Sequence, residues 1–186
     1  KTYLGRPETD GARHSAMTQV ANGLFISRRF EDALSVREAE LSMRRRLGDP
    51  EQCILTVQNN LACTYHMLGR NEEALRLKRD VYSGRLRLNG EEHERTLVVA
   101  NNYATSLIDL KRFKEARSLL LKVMPVARRV LGDNDETTLR MRWYYAEALY
   151  EDPGATLDDL LEAVTTLEET ERIARRVLGG AHPVTT

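Results

Sequence analysis

Net charge is the first thing this chain lacks. Its 186 residues carry 28 Lys plus Arg against 28 Asp plus Glu, so no global field draws it to nucleic acid or to an anionic membrane. Long apolar runs are also missing. Stretches such as Leu97 to Ala100 and Leu119 to Leu121 fall far short of the roughly 20 residues that span a bilayer, and nothing at Lys1 reads as a secretory signal. Only two cysteines occur, Cys53 and Cys63. Placed on one expected helix they are badly set to pair, which points to a reduced, intracellular and cytoplasmic setting. There is no glycine-rich phosphate loop and no nucleophile elbow, and His14, His66, His93 and His182 show no ligand spacing with Cys or with each other. The acid pairs Asp158-Asp159 and Glu168-Glu169 are sequence neighbours that point different ways on a helix, so neither makes an acid/base couple. These absences argue against an enzyme and call for no metal or cofactor.

What is present is repetition. Asn59 to Leu77 returns as Asn101 to Leu119, with an offset of 42 residues for both Asn59/Asn101 and Ala74/Ala116. Within each copy a small residue (Ala62, Ala104) is followed by another twelve positions later (Ala74, Ala116), a spacing that suits two helices crossing closely in a hairpin. Leu-Gly or Leu-Asn recurs at Leu4-Gly5, Leu47-Gly48, Leu88-Asn89, Leu131-Gly132 and Leu178-Gly179, at spacings of 43, 41, 43 and 47. Gly or Asn after a helix tolerates the left-handed conformation that closes its last turn, so these dipeptides read as helix stops.

The stops divide the chain into the end of a preceding unit (1–11), four units (12–48, 49–89, 90–132 and 133–179) and the start of another (180–186). All belong to one array, expected to be a piece of a longer protein because the chain opens without Met and inside repeat text. Unit one is expected to form helices near 12–27 and 30–47, unit two 51–68 and 71–88, and unit three 93–110 and 113–131. Asp49 is the expected N-cap of the first helix of unit two, with Pro50 at its first helical position. Unit four opens at Asn134-Asp135-Glu136 and runs to about Tyr150. Its turn at Glu151-Asp152-Pro153-Gly154-Ala155 is about five residues longer than its neighbours and is expected to protrude, before Thr156 and Asp159 open a last helix as a capping box. In unit two, Leu61, Ala62, Tyr65, Ala74, Leu77 and Val81 fall at helical spacings, as do Tyr103, Ala104, Leu107, Ala116, Leu119 and Val123 in unit three. Each hairpin keeps apolar residues for its neighbour, the mark of an array in which several units cooperate.

Asn59-Asn60-Leu61-Ala62-Cys63-Thr64-Tyr65, Gly69-Arg70-Asn71-Glu72-Glu73-Ala74 and Leu178-Gly179-Gly180-Ala181-His182-Pro183 resemble the LNNLAxLY, GKYEEA and LGxxHP text of the tetratricopeptide repeats (TPR) of kinesin light chains. The resemblance covers essentially the whole chain, although Trp143-Tyr144-Tyr145 replaces the Asn-Asn text in unit four. It implies an all-α, right-handed superhelical solenoid of antiparallel helix hairpins. It also implies that the first helix of each unit faces a concave groove, with the first Asn of NNLA turned toward bound peptide. Carried over by position, this selects Asn59 and Asn101. An Asn amide offers a donor and an acceptor, so it can hold an extended backbone without reading side chains. Helical spacing adds Thr56, Cys63, His66 and Met67 in unit two, and Val98, Thr105, Ile108 and Asp109 in unit three. Unit four contributes Arg140, Trp143, Glu147 and Tyr150, and unit one Ser15, Thr18, Asn22 and Phe25.

Plainer readings stand beside these. The Asn pairs can cap or bridge helices, Trp143 at helical spacing can belong to the core, and His66 can be a solvated side chain. Arg44-Arg45-Arg46, Arg128-Arg129 and Arg175-Arg176 suggest a phosphate stripe, but each falls in a last helical turn, where cations offset the helix dipole. The groove list holds only Arg140 as a cation, which disfavours a clamp for an acidic carboxyl terminus. The expected function is a non-catalytic interaction module that takes a peptide or disordered segment of a partner protein on its concave face. The competing expectation is a self-associating or intramolecular regulatory scaffold, with end-to-end contacts through exposed terminal faces. Nucleic acid and membrane are not expected partners.

Overall fold

The computed structural model describes residues 11–178. Eight helices follow in order: α1 (Gly11–Ile26), α2 (Phe30–Leu47), α3 (Glu51–Met67), α4 (Asn71–Asn89), α5 (Glu94–Asp109), α6 (Phe113–Val130), α7 (Glu136–Tyr150) and α8 (Leu157–Leu178), with no strand among the described residues. Every described boundary lies within two residues of its expected place. The expected stops at Leu4-Gly5 and Gly179, and the partial units at either end, lie outside the described residues. The chain divides into two compact units, Lys1–Gly84 and Arg85–Thr186.

In the first unit α1 packs on α2 and α2 on α3. Ala21, Ala33, Ala62 and Ala74 are at most 1% exposed, so the small residues do sit where helices meet. A larger side chain there forces backbone shifts that cost about 1–3 kcal/mol. Leu34 and Leu41 of α2 join Val57 and Leu61 of α3 in one cluster, with Ile54, Tyr65, Leu68 and Leu77 against it. Gly84 lets α4 approach α3 closely, since a Cβ there would lie 2.7 Å from Leu55 Cδ2.

In the second unit α5 packs on α6 and α7, α6 on α7, and α7 on α8. Ala104 and Ala116 are fully buried, and so is the pair Ala146 and Ala163. The last two repeat the small-residue rule at a spacing lengthened by the five-residue insertion. The inserted turn is held by its own backbone: Asp152 accepts the Gly154 N–H at Oδ1 (2.9 Å) and the Ala155 N–H at its carbonyl (2.9 Å). Thr156 and Asp159 form the expected capping box. The Thr156 N–H and hydroxyl donate to Asp159 Oδ2 at 3.0 and 2.7 Å, and the Asp159 N–H donates back to Thr156 Oγ1 at 3.2 Å. Asp135 caps α7 by accepting from the Thr137 and Thr138 N–H groups.

Two local expectations are corrected. The residue preceding α3 is Pro50 (φ −51°, ψ 137°), with no side-chain cap. Asp49 turns away because Arg44, in the last turn of α2, holds its carboxylate at 3.0 Å and His14 Nδ1 lies 3.5 Å from it. The stop at Leu88-Asn89 also shifts, since α4 includes Asn89 and the left-handed residue is Gly90 (φ 80°).

The turns inside the first three hairpins repeat one geometry. Arg28, Gly69 and Lys111 have φ of 59°, 72° and 58°, and the N–H groups around them bond back in the paired pattern of a Schellman close, as Arg29 N–H to Leu24 O (2.9 Å), Arg70 N–H to Tyr65 O (2.9 Å) and Arg112 N–H to Leu107 O (2.8 Å). The next residue in each turn is an arginine that pairs with an acid three positions on: Asp32, Glu73 and Glu115.

Candidate functional site

The expected contact residues lie on the first helix of each hairpin, and their surroundings differ between the two compact units. In the first unit they gather round an arginine that the sequence argument did not select. Arg37 of α2 is 4% exposed. Its Nη1 donates to the Asn60 carbonyl at 2.6 Å and to the Thr64 hydroxyl, and its Nη2 donates to Asn22 Oδ1 at 3.0 Å. The guanidinium carbon stands 4.8 Å from the centre of the Phe25 ring. Burial lowers the Arg37 pKa, while the nearby Cys63 thiol and Glu40 carboxylate raise it. Thus Asn22 and Phe25 of α1 and Cys63 of α3 are brought together by a cation from α2.

Asn59 and His66 are half-buried on α3, and Met67 is exposed. Thr18 is committed inward, with its hydroxyl 2.6 Å from Glu40 Oε1 and 3.1 Å from the His14 carbonyl. A signal for Arg37 was present in the sequence. It occupies the position held by Lys78 in the second hairpin and by Leu120 in the third, so a buried cation recurs on a face that is apolar in the third.

In the second unit, Asn101 is only 7% exposed. Its Oδ1 is enclosed and has no hydrogen-bond donor. Ile108 is buried, at 8%, and the Thr105 hydroxyl is spent on the Asn101 carbonyl at 3.0 Å. Arg140 is tied to Glu136 one turn before it, with Nε 2.9 Å and Nη2 2.7 Å from Oε1. Trp143 is half-buried and packs against Tyr144, ring centres 5.2 Å apart.

Glu147, a half-buried residue one turn beyond Trp143, has its carboxyl pKa raised by burial and then by the nearby charges of Glu151 and Asp109. Tyr150, 42% exposed, has its hydroxyl pKa raised by burial and then by Glu147 and Glu151. Helical spacing selects Glu147 and Tyr150 and sets Glu151 one turn after Glu147, whereas the nearness of the Asp109 carboxylate lies beyond it. That depends on α5 and α7 packing side by side. The arrangement offers aromatic surface beside concentrated negative charge, which suits a cationic or donor-bearing partner group. No helix among the described residues is long and apolar enough to cross a membrane.

Models of the tetratricopeptide repeat match residues 13–87 and 96–136. No curated protein matches the chain. Among solved structures, the nearly identical TPR-like repeats of a kinesin light chain candidate from Podosopora anserina superpose with a TM-score of 0.76 at 22% identity, over 98% of this chain and 82% of that one. Their Q17M form gives 0.76 at 20% identity, over 95% and 81%. BtubC (BKLC) from P. vanneervenii gives 0.60 at 17% identity, over 93% and 84%. At these identities the likeness is one of fold. Neither matched model is that of a catalytic family.

Proposed function

Because this chain is a tetratricopeptide-repeat protein, a class whose repeats generally mediate protein–protein interaction, we propose that it binds an extended segment of a partner protein along the first helices of its hairpins. The observation that carries this reading is the face of α5 and α7 in the second unit. There Trp143, Glu147 and Tyr150 follow one another at helical spacing beside Asp109, and Glu147 is a half-buried carboxylate already crowded by other acids. A Lys or Arg from the partner relieves that crowding, and the aromatic rings give its aliphatic stem a surface to cover. Asn59 in the first unit and Asn101 in the second are each proposed, within its own unit, as a holder of partner backbone. Ordering a flexible segment consumes part of the interaction energy, so micromolar affinity for an isolated peptide is expected.

A peptide display selection tests this. The expected outcome is a common motif containing Lys or Arg. Its affinity falls at least about tenfold, equivalent to 1.4 kcal/mol, in Glu147→Lys and in the Asn59→Ala/Asn101→Ala double variant, while helix content is retained. A folded protein that enriches no motif, or a motif indifferent to all three substitutions, overturns the reading in favour of an intramolecular or self-associating scaffold.

A further inference from the structure

We propose that the cleft walled by α6, α7 and α8 is a second binding site, for a phosphate monoester dianion with an apolar body. The cleft has a volume of about 570 Å³, and Arg128, Arg142, Arg172 and Arg176 are among the residues that line it. Two carboxylates share it: Asp133 accepts from Arg128 Nε at 2.6 Å, and Glu169 accepts from Arg142 Nη2 at 2.6 Å. Arg176 Nη2 donates to Asn134 Oδ1 at 3.2 Å, and Arg172 makes no ion pair among the described residues. The lining therefore keeps an excess of two positive charges, the complement of a dianion. Guanidiniums present planar forks of donors that match phosphate oxygens.

The repeat supplies an internal control for what the fold itself requires. Arg176 has counterparts in Arg46, Arg87 and Arg129, so it belongs to the ordinary last turn of a second helix. Arg142 and Arg172 do not. The positions equivalent to Arg142 hold Met17, Gln58 and Ala100, and those equivalent to Arg172 hold Ser42, Ser83 and Pro125. The hairpin packs without arginine at either position, yet both arginines here line one cleft. Arg142 is held in place at a cost, since its side chain is only 12% exposed.

A second compartment of about 270 Å³ adjoins the first across the shared walls Arg128 and Arg142. Leu121, 49% exposed, lines it with Met124 and Pro125, and its polar side is Tyr145, Thr166 and the Glu162 carboxylate, which accepts from the Tyr145 hydroxyl at 2.7 Å. A phosphate seated among the arginines thus has apolar surface beside it for the carbon skeleton of its ester. By helical spacing Arg142 and Tyr145 lie on the side of α7 away from Trp143 and Glu147, so this site is separate from the proposed peptide face.

Calorimetric titration of the whole chain with phenyl phosphate is the test, with inorganic phosphate and benzoate as separating arms. Saturable binding of phenyl phosphate is expected, at least about tenfold tighter than either control. Arg172→Ala, on the exposed side of α8, is expected to weaken it at least about tenfold without moving the melting midpoint, and Arg172→Lys to restore part of the loss. Arg142→Gln provides a second reading, checked by helix content. No saturation up to about 10 mM, or binding indifferent to both arginine losses, overturns the site, while equal affinity for inorganic phosphate overturns the apolar compartment. A phosphoserine-leucine dipeptide tighter than phenyl phosphate supports the site and marks a modified partner segment as the source. The reverse order supports it and marks a small molecule.

Discussion

The second helices of hairpins one and three occupy the same architecture with opposite chemistry. Where α2 buries Arg37 and Glu40 and encloses most of Arg44, α6 places Leu120, Val123 and Ala127. In α6 these positions need only volume. In α2 they need partners, and each side chain finds some, although the buried Arg37 Nε has none. Arg37 reaches both neighbouring first helices, and Glu40 accepts from Thr18 and from Arg44 Nε at 3.0 Å, while Arg44 continues to Asp49. The helical hairpin thus tolerates an ionic core, provided every charge is answered from outside its own helix. An apolar core gains from burial directly, whereas a buried ionic one roughly balances desolvation against pairing and makes each partner indispensable.

The largest effect expected from this contrast is that of removing one partner. Glu40→Ala leaves Arg44 with an incomplete set of partners in a mostly enclosed site and is expected to destabilise by about 3–5 kcal/mol in urea unfolding. Moving the α6 residues into α2, as Arg37→Leu/Glu40→Val/Arg44→Ala, is expected to recover most of that loss or exceed the parent. A triple variant no more stable than Glu40→Ala would break the equivalence of the two hairpins.

A smaller effect lies in the second unit and appears with pH. Burial, then the hydrogen bond to Glu162 (2.7 Å), push the Tyr145 hydroxyl pKa from 10.0 up to about 12. The folded state holds this proton more tightly than the unfolded chain does. Tyr145 therefore contributes its full stability below about pH 10 and loses it as the pH rises toward 12, a loss of about 1 kcal/mol by pH 11. Denaturation measured from pH 9 to 12 is expected to show this slope in the parent and a flatter one in Tyr145→Phe. Equal slopes would remove Tyr145 from the account.

The smallest effects are in the turns. Hairpin two uses Gly69 for its left-handed residue, while hairpins one and three use Arg28 and Lys111. Arg28→Gly and Lys111→Gly are each expected to stabilise by about 0.5–1 kcal/mol, and Gly69→Ala to destabilise by about 1 kcal/mol, read as shifts in unfolding midpoint. Opposite signs at positions 28 and 111 would mean that the lost side-chain contacts outweigh the relief of backbone strain.

The candidate peptide face was legible only as a set of positions. Spacing from Asn59 and Asn101 put Glu147 and Tyr150 one turn apart on α7, and Asn22 and Phe25 on one face of α1. It could not show that Arg37 occupies the space beside Asn22 and Phe25, because that side chain arrives from another helix. The enclosure of Asn101 and Ile108 was hidden for the same reason.

By itself the sequence determined the period, the eight helices, most of their ends and the small residues at the crossings, since all of these rest on local interactions: backbone bonds three to five residues long, caps, and side-chain volume at one repeating position. The tertiary structure decided which polar groups are answered and which are not. Arg37 of α2 meets Asn22 of α1 and Thr64 of α3, Glu147 of α7 lies near Asp109 of α5, and Arg142 and Arg172 share one cleft. Each of these depends on side chains from separate helices meeting at hydrogen-bonding or Coulombic distance. Periodicity assigns a residue to a face, but the partner it meets there is set by how neighbouring helices pack.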